Sequence, residues 1–370
     1  MSGRIIFYGG ALAAAGVTAQ KTAEKQTVRP GLTVLKPSDE TSVDPGARLS
    51  SLSHIRLSAD GSIAAWDELG RFGRLHAPVI WVAGKGRRLP LPAGSMVGFV
   101  QGVSADGNVV VGGIVSMADD ISAQPSITAT RWVDGKSETL AGPNSRAYAA
   151  SADGTVIFGR ANPPSAEEQA FRWTQAEGMT NIGTPESKEL SPCAVSSDGS
   201  VVVGYLMDAE RKTRAFRWTR TEGLTALETP EGHASSATGV SADGSVIVGY
   251  STNAAWRHEA FRWTKETGVT ALGTLPGMTG SVGAAVSADG SVIVGTSTKG
   301  EREEHAFRWT KETGMQSVED WLRAHDPSFA LNGDDRLVAA TGVSADGSII
   351  SGIGNGAKDG MWPWIVRVDE

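Results

Sequence analysis

The sequence predicts an all-β protein: a seven-bladed β-propeller of four-stranded antiparallel blades, closed by an N-terminal strand that completes the last blade. Three observations predict it. A Ser-Ala/Ser-Asp-Gly turn recurs seven times, with aspartates at Asp60, Asp106, Asp153, Asp198, Asp243, Asp289 and Asp346, spaced 46, 47, 45, 45, 46 and 57 residues apart. A Phe-Arg-Trp marker, or a relic of it, follows each turn, with tryptophans at Trp81, Trp132, Trp173, Trp218, Trp263, Trp309 and Trp364. The seventh unit stops after three strand-like pieces, while a matching fourth piece, "GLTVL" at Gly31–Leu35, stands ahead of the first unit. A period in the mid-forties with four such pieces is that of a propeller blade. One blade cannot bury both of its faces, and seven packed radially can.

Within one unit, "ATGVS" (237–241) is made of small and β-branched residues, as suits a strand beside a crowded axis. "ADG" supplies a turn in which Asp caps the backbone and Gly accepts positive φ. "SVIVGY" (245–250) is a continuous apolar run and reads as a strand buried on both faces. Its recurrent glycine (Gly112, Gly159, Gly204, Gly249, Gly295, Gly352, with Trp66 in the first unit) signals a bulge or close backbone approach. "EAFRWT" alternates, so Phe261 and Trp263 share a face and Arg262 takes the other. The Phe and Trp are assigned to packing between blades, and the intervening Arg to pairing with an acid of its own or a neighbouring blade. "KETG" is a second turn and "VTALGT" the fourth strand. The excess length of the last interval predicts a helix over Val318–His325. Ser317 caps it, Glu319 and Asp320 favour its first turn, and Trp321 and Leu322 pack down onto the blade.

Residues 1–19 read as a signal peptide: Arg4, an apolar run from Ile5 to Val17, and small residues before Gln20. Residues 20–30 are then a leader, and 31–370 a single propeller domain. A net charge of -7 excludes the basic footprint of a nucleic-acid binder, and no apolar stretch has membrane-spanning length. One cysteine, Cys193, excludes an intrachain disulfide and reads as a small packed residue. The expectation is a secreted or periplasmic monomer with no cofactor and no metal.

The repeats resemble the HAF family of extracellular bacterial repeats. "HAFRW" stands intact at His305–Trp309, while "LGTLPG" at Leu272–Gly277 departs from the family's usual double glycine. The ending, "MQSVEDWL", "ATGVSADG" and "PWIVRV", is similar to the last repeat of autotransporter-type passengers. The resemblance covers about residues 52–370 and implies an extracellular repeat protein rather than a particular chemistry. No translocator barrel follows in this sequence, which predicts that it is not anchored by that route.

Catalytic motifs are absent from the sequence: no Gly-x-Ser-x-Gly elbow, no His-x-x-x-His spacing, no twelve-residue calcium loop. The first strands offer mostly Gly, Ala, Thr and Val, with Gln101, Tyr148, Cys193, His54 and Arg56 as atypical members. That favours a non-catalytic module binding an extracellular glycan or protein. The alternative is a lyase or glycoside-active propeller with catalytic residues on its loops. Strand direction gathers the variable loops at one end of the ring, where binding residues concentrate. Among them Trp256, Arg257 and His258 form a compact aromatic and polar group, and Met96, His233 and Met278 are expected to approach the same rim.

Overall fold

The computed structural model describes residues 31–35, 55–69, 76–83, 85–116, 125–162, 169–184, 189–208, 210–229, 233–300, 303–356 and 360–368. The expected signal peptide and leader lie outside the described residues, as does His54. Seven four-stranded antiparallel sheets form a ring, six of them running outward from the axis in chain order. Blade 5 shows the plan: inner strand Ser235–Val240, then Ile247–Thr252, His258–Thr264 and outer strand Gly268–Ala271. Blade 7 takes Arg336–Val343, Ile349–Gly356 and Gly360–Arg367 from the end of the chain and its outer strand, Gly31–Val34, from the start. Leu32 faces Val366 and Val34 faces Trp364 across that seam. Leu35 continues it, donating its N–H to Pro363 O at 3.0 Å and burying its side chain.

The Ser-Ala-Asp-Gly turns are the joints of the ring. In blade 5 the Asp243 carboxylate accepts from the Ser241 hydroxyl at 2.7 Å and from the Ser245 N–H at 2.9 Å, while Ser241 Oγ accepts the Val246 N–H at 2.9 Å. At six junctions the turn's second residue donates its N–H to the carbonyl of its counterpart in the adjoining blade: Ala59 to Ala105, Ala152 to Ser197, Ser197 to Ala242, Ala242 to Ala288, Ala288 to Ala345 and Ala345 to Ala59, at 2.7–3.0 Å. A belt of backbone hydrogen bonds therefore runs around that end of the channel. The turn glycine serves it twice. Gly244 has φ +74, and a Cβ there would collide with Val201 of the preceding blade.

The glycine of the second strand has a different reason. A Cβ on Gly204 would run into Ser191 O, and one on Gly249 into Ser236 O. The inner strand bulges just after this point. In blades 2 to 7 the ladder skips Gln101, Tyr148, Cys193, Thr238, Ala284 and Thr341 in turn. A bulge re-aims its side chain, and these six line the central channel.

Across from that glycine sits the marker phenylalanine: Gly159 pairs with Phe171, Gly204 with Phe216, Gly249 with Phe261 and Gly295 with Phe307. These phenylalanines are fully buried, whereas Trp173, Trp218, Trp263 and Trp309 are half-buried against the clusters between blades. Three blades depart from that pairing, and in blade 2 it is Thr130 that faces Gly112. Trp364 pairs with Gly352 and so stands in the phenylalanine position, with Val366 taking the tryptophan's place. In blade 1 the pair is inverted: Trp66 replaces the glycine and Val79 the phenylalanine, so one large ring still fills the site. Three of the marker arginines find acids in their own blades, Arg131 with Glu138 and Arg172 with Glu177, both at 2.6 Å, and Arg217 with Glu222. Arg131 also lies 4.5 Å over the Trp173 ring of blade 3.

The helix spans Val318–His325 with Ser317 as N-cap, its hydroxyl accepting the Asp320 N–H at 3.0 Å. Val318, Trp321 and Leu322 are buried in the core between blades 6 and 7. Trp321 lies under Arg308, so its role is packing.

Candidate functional site

The variable-loop end of blade 5 carries the predicted aromatic group, and one residue builds it. Asn253 begins the loop between the second and third strands. Its backbone carbonyl accepts the Trp256 N–H at 2.9 Å, and its side-chain Oδ1 accepts the Ala255 and Arg257 N–H groups at 3.0 and 3.1 Å. Its own N–H closes the loop onto Arg257 O at 2.9 Å. An asparagine side chain that mimics a turn carbonyl is the usual device for so tight a loop. It holds Trp256 at φ +58, in the left-handed region where an L-residue pays roughly 1–2 kcal/mol. The result is an indole 74% exposed at the tip of the loop.

His233, from the connection between blades 4 and 5, lies with its ring 4.8 Å from that of Trp256, tilted by 42°. Arg257 and His258 are exposed beside it. His258 is positioned from below: its Nδ1 is 3.2 Å from Thr252 Oγ1 and its ring 4.5 Å from that of Tyr250. Burial raises the Tyr250 pKa, so this phenol remains a neutral support. Trp256, Arg257, His258 and His233 therefore share one patch.

The two methionines do not join it. Met96 is exposed but lies in the inner strand Ser95–Val103 of blade 2, three blades away around the ring. Met278 packs on the core between blades 5 and 6, its N–H on Leu275 O at 3.0 Å, and so holds the loop instead of offering a contact. Asn253 escaped the sequence reading, although an asparagine opening a short loop between strands is a turn signal in its own right.

Concave features lie elsewhere: one of about 500 Å³ lined by Arg217, Glu222, Asp243 and Lys265, and the central channel. In the channel, two chambers of about 200 and 250 Å³ meet at a shared waist that includes Arg56, Gln101, Tyr148, Cys193 and Thr238. The Cys193 thiol is reachable by water yet enclosed by protein, and burial pushes its pKa up to about 11. It is a neutral, unreactive thiol near pH 7. Among the described residues, no group of three or more His, Cys, Asp or Glu side chains is arranged to hold a metal ion, and no helix is long and apolar enough to cross a membrane.

No protein family matches this chain, and no curated protein matches it. Solved structures do. The chain is similar to a prolyl endopeptidase, with a TM-score of 0.59 at 12% identity over 86% of this chain and 50% of that one. It is similar to the β-propeller domain of the Trilobed protease from Pyrococcus furiosus, with a TM-score of 0.57 at 10% identity over 86% and 95% of the two chains. An oligogalacturonate lyase in complex with manganese gives a TM-score of 0.54 at 16% identity over 93% and 99%. The fold is a β-propeller. This chain spans half the length of that endopeptidase, and at such identities the likeness carries the fold alone. The Trilobed propeller is described as having an open velcro topology, whereas here blade 7 is closed by pairing the two ends of the chain.

Proposed function

We propose that this chain is an exported, non-catalytic binding propeller that engages an extracellular glycan or protein through the variable-loop patch around Trp256. The observation that carries the reading is the pose of Trp256. A large apolar ring is held out in water on a backbone conformation that is itself unfavourable, by a loop three of whose N–H groups donate to Asn253. Local strain of that kind persists where the surrounding structure over-determines it, and it concentrates at functional sites. Tryptophan and arginine are also the residue types most enriched among binding hot spots, and Arg257 is the next residue. The HAF resemblance and the signal-like order of residues 1–19 support an extracellular or periplasmic location.

The test is a screen of the mature protein against glycan arrays and bacterial surface proteins, with the Trp256→Ala/Arg257→Ala variant alongside. A ligand should be found whose affinity falls by on the order of 2 kcal/mol in the variant, with the melting temperature unchanged. Equal binding by both proteins would sink the site assignment. Accumulation of hydrolysis or elimination products would establish the enzyme alternative instead. Export is tested separately: N-terminal sequencing from the native host should begin near Gln20, and intact Met1 protein in the cytoplasm would refute it.

A further inference from the structure

The central channel holds an arginine where the fold elsewhere accepts only glycine or alanine. The position just past the bulge is Gly or Ala in blades 2 to 7, at Gly102, Ala149, Ala194, Gly239, Ala285 and Gly342. The layer is crowded: a Cβ on Gly102 would press on Tyr148 O, and one on Gly239 on the Ala285 backbone. In blade 1 the same register position, opposite Ala65, is Arg56. Its side chain escapes the crowding by running toward blade 2, where Nε donates to Gln101 O at 2.8 Å, and the residue lines both chambers of the channel.

Among the described residues that guanidinium forms no direct ion pair, although the buried Asp67 carboxylate acts on its charge through space. Burial is the largest influence on its charge, and Cys193 and Asp67 act in the opposite direction. Cys193 is a neutral thiol near pH 7 because burial raises its pKa. Asp67 is buried and its Oδ1 accepts the Val100 N–H at 2.6 Å. Burial disfavours the charge on Arg56, yet an arginine keeps its proton. A cation that can neither discharge nor pair within the wall attracts an anion from solution. The wall offers polar groups to orient one. The Gln101 amide makes no hydrogen bond among the described residues, and Thr238 Oγ1, which donates to Gly283 O at 2.7 Å, retains lone pairs to accept with.

We propose that the channel waist is a binding site for a small monocarboxylate, its two oxygens on the Arg56 guanidinium and its hydroxyl groups against Gln101 and Thr238. The planar fork of arginine matches a carboxylate in bidentate fashion. A carboxylate brings one charge to a lining whose cation is Arg56, whereas a phosphate dianion would bring two. The larger chamber, about 250 Å³, holds roughly eight waters at about 30 Å³ each. The ligand is therefore small, and the site is distinct from the Trp256 patch.

The experiment titrates the mature protein with sodium lactate, acetate and glucuronate, with inorganic phosphate, glucose and sodium chloride in parallel arms, by calorimetry and thermal shift. At least one carboxylate should bind saturably and raise the melting temperature, with phosphate weaker and glucose and chloride silent. Arg56→Ala, which restores the alanine of blades 3 and 4, should weaken that binding by about tenfold or more. Trp256→Ala should leave it unchanged. Saturation-transfer NMR on the unaltered protein, with lactate observed and acetate as competitor, gives a second reading that needs no variant. Absence of saturable carboxylate binding, equal binding by Arg56→Ala, or tighter binding of phosphate would each overturn the proposal.

Discussion

Glycine and aspartate in the repeated turn show how much one position can be asked to do. Gly244 and Gly268 both have positive φ, but only Gly244 is also hemmed in by a neighbouring blade; nothing lies within reach of a Cβ on Gly268. Gly268→Ala should therefore cost only the left-handed backbone term, about 1–2 kcal/mol. Gly244→Ala should cost a further 1–3 kcal/mol or so of overpacking, and urea denaturation of the two variants would measure the difference. The aspartates make stability depend on acid. Hydrogen bonds from Ser151, Ser241 and Ser287 are the largest cause holding Asp153, Asp243 and Asp289 below the usual carboxylate pKa, and the Ser200 N–H does the same for Asp198. A pKa lower in the folded than in the unfolded chain adds stability that is present above the unfolded value of about 3.9 and lost as pH falls through the folded one. Denaturant midpoints measured from pH 6 down to pH 2 should drop below about pH 4. Asp→Asn at these four positions should flatten the drop.

Strands, bulges and the helix were legible in the sequence to different degrees, for physical reasons. The turn, the apolar second strand and the alternating third strand each carry a periodic signal, so their positions could be read directly. The helix was legible because Ser317, Glu319 and Asp320 form a complete start signal, and Ser317→Ala should destabilise the protein by about 1 kcal/mol in the same denaturation assay. The bulge could be suspected from the glycine but not located, because the ladder's own geometry sets which inner-strand residue it skips. Trp364 was misassigned for a related reason. Residues two apart in a strand share a face, so counting from the turn cannot separate the phenylalanine position from the tryptophan position when the intervening loop changes length. The inverted pair Trp66–Val79 keeps the volume while moving the ring to the other strand, and no spacing rule registers such an exchange.

At the scale of the whole ring, the seven blades and their closure were legible because the repeat count and the stray "GLTVL" were both on the page of the sequence. The site was half legible. Loops on one face share an orientation but not a location, so Met96 and Trp256 face the same way from blades three apart. Removing residues 31–35 should lower stability by several kcal/mol, on the order of a lost buried strand, and expose Gly360–Arg367 as an edge prone to pairing with another chain. A fall in melting temperature together with dimers in size-exclusion chromatography would be the expected result. The seam has a further consequence for how the chain finds its own arrangement. Blades 5 and 6 are near-copies, with "VSADGSVIVG" and "AFRWTKETG" in both, so a third strand from one could dock beside the second strand of the other with little local penalty. Such a frame slip of one repeat would leave the ring a blade short or a strand over. Only the seam detects it, because Gly31–Val34 finds its partner when every earlier pairing is in frame. The closing strand thus works as a parity check on the tally of repeats, and it lets a sequence written in copies still specify one structure.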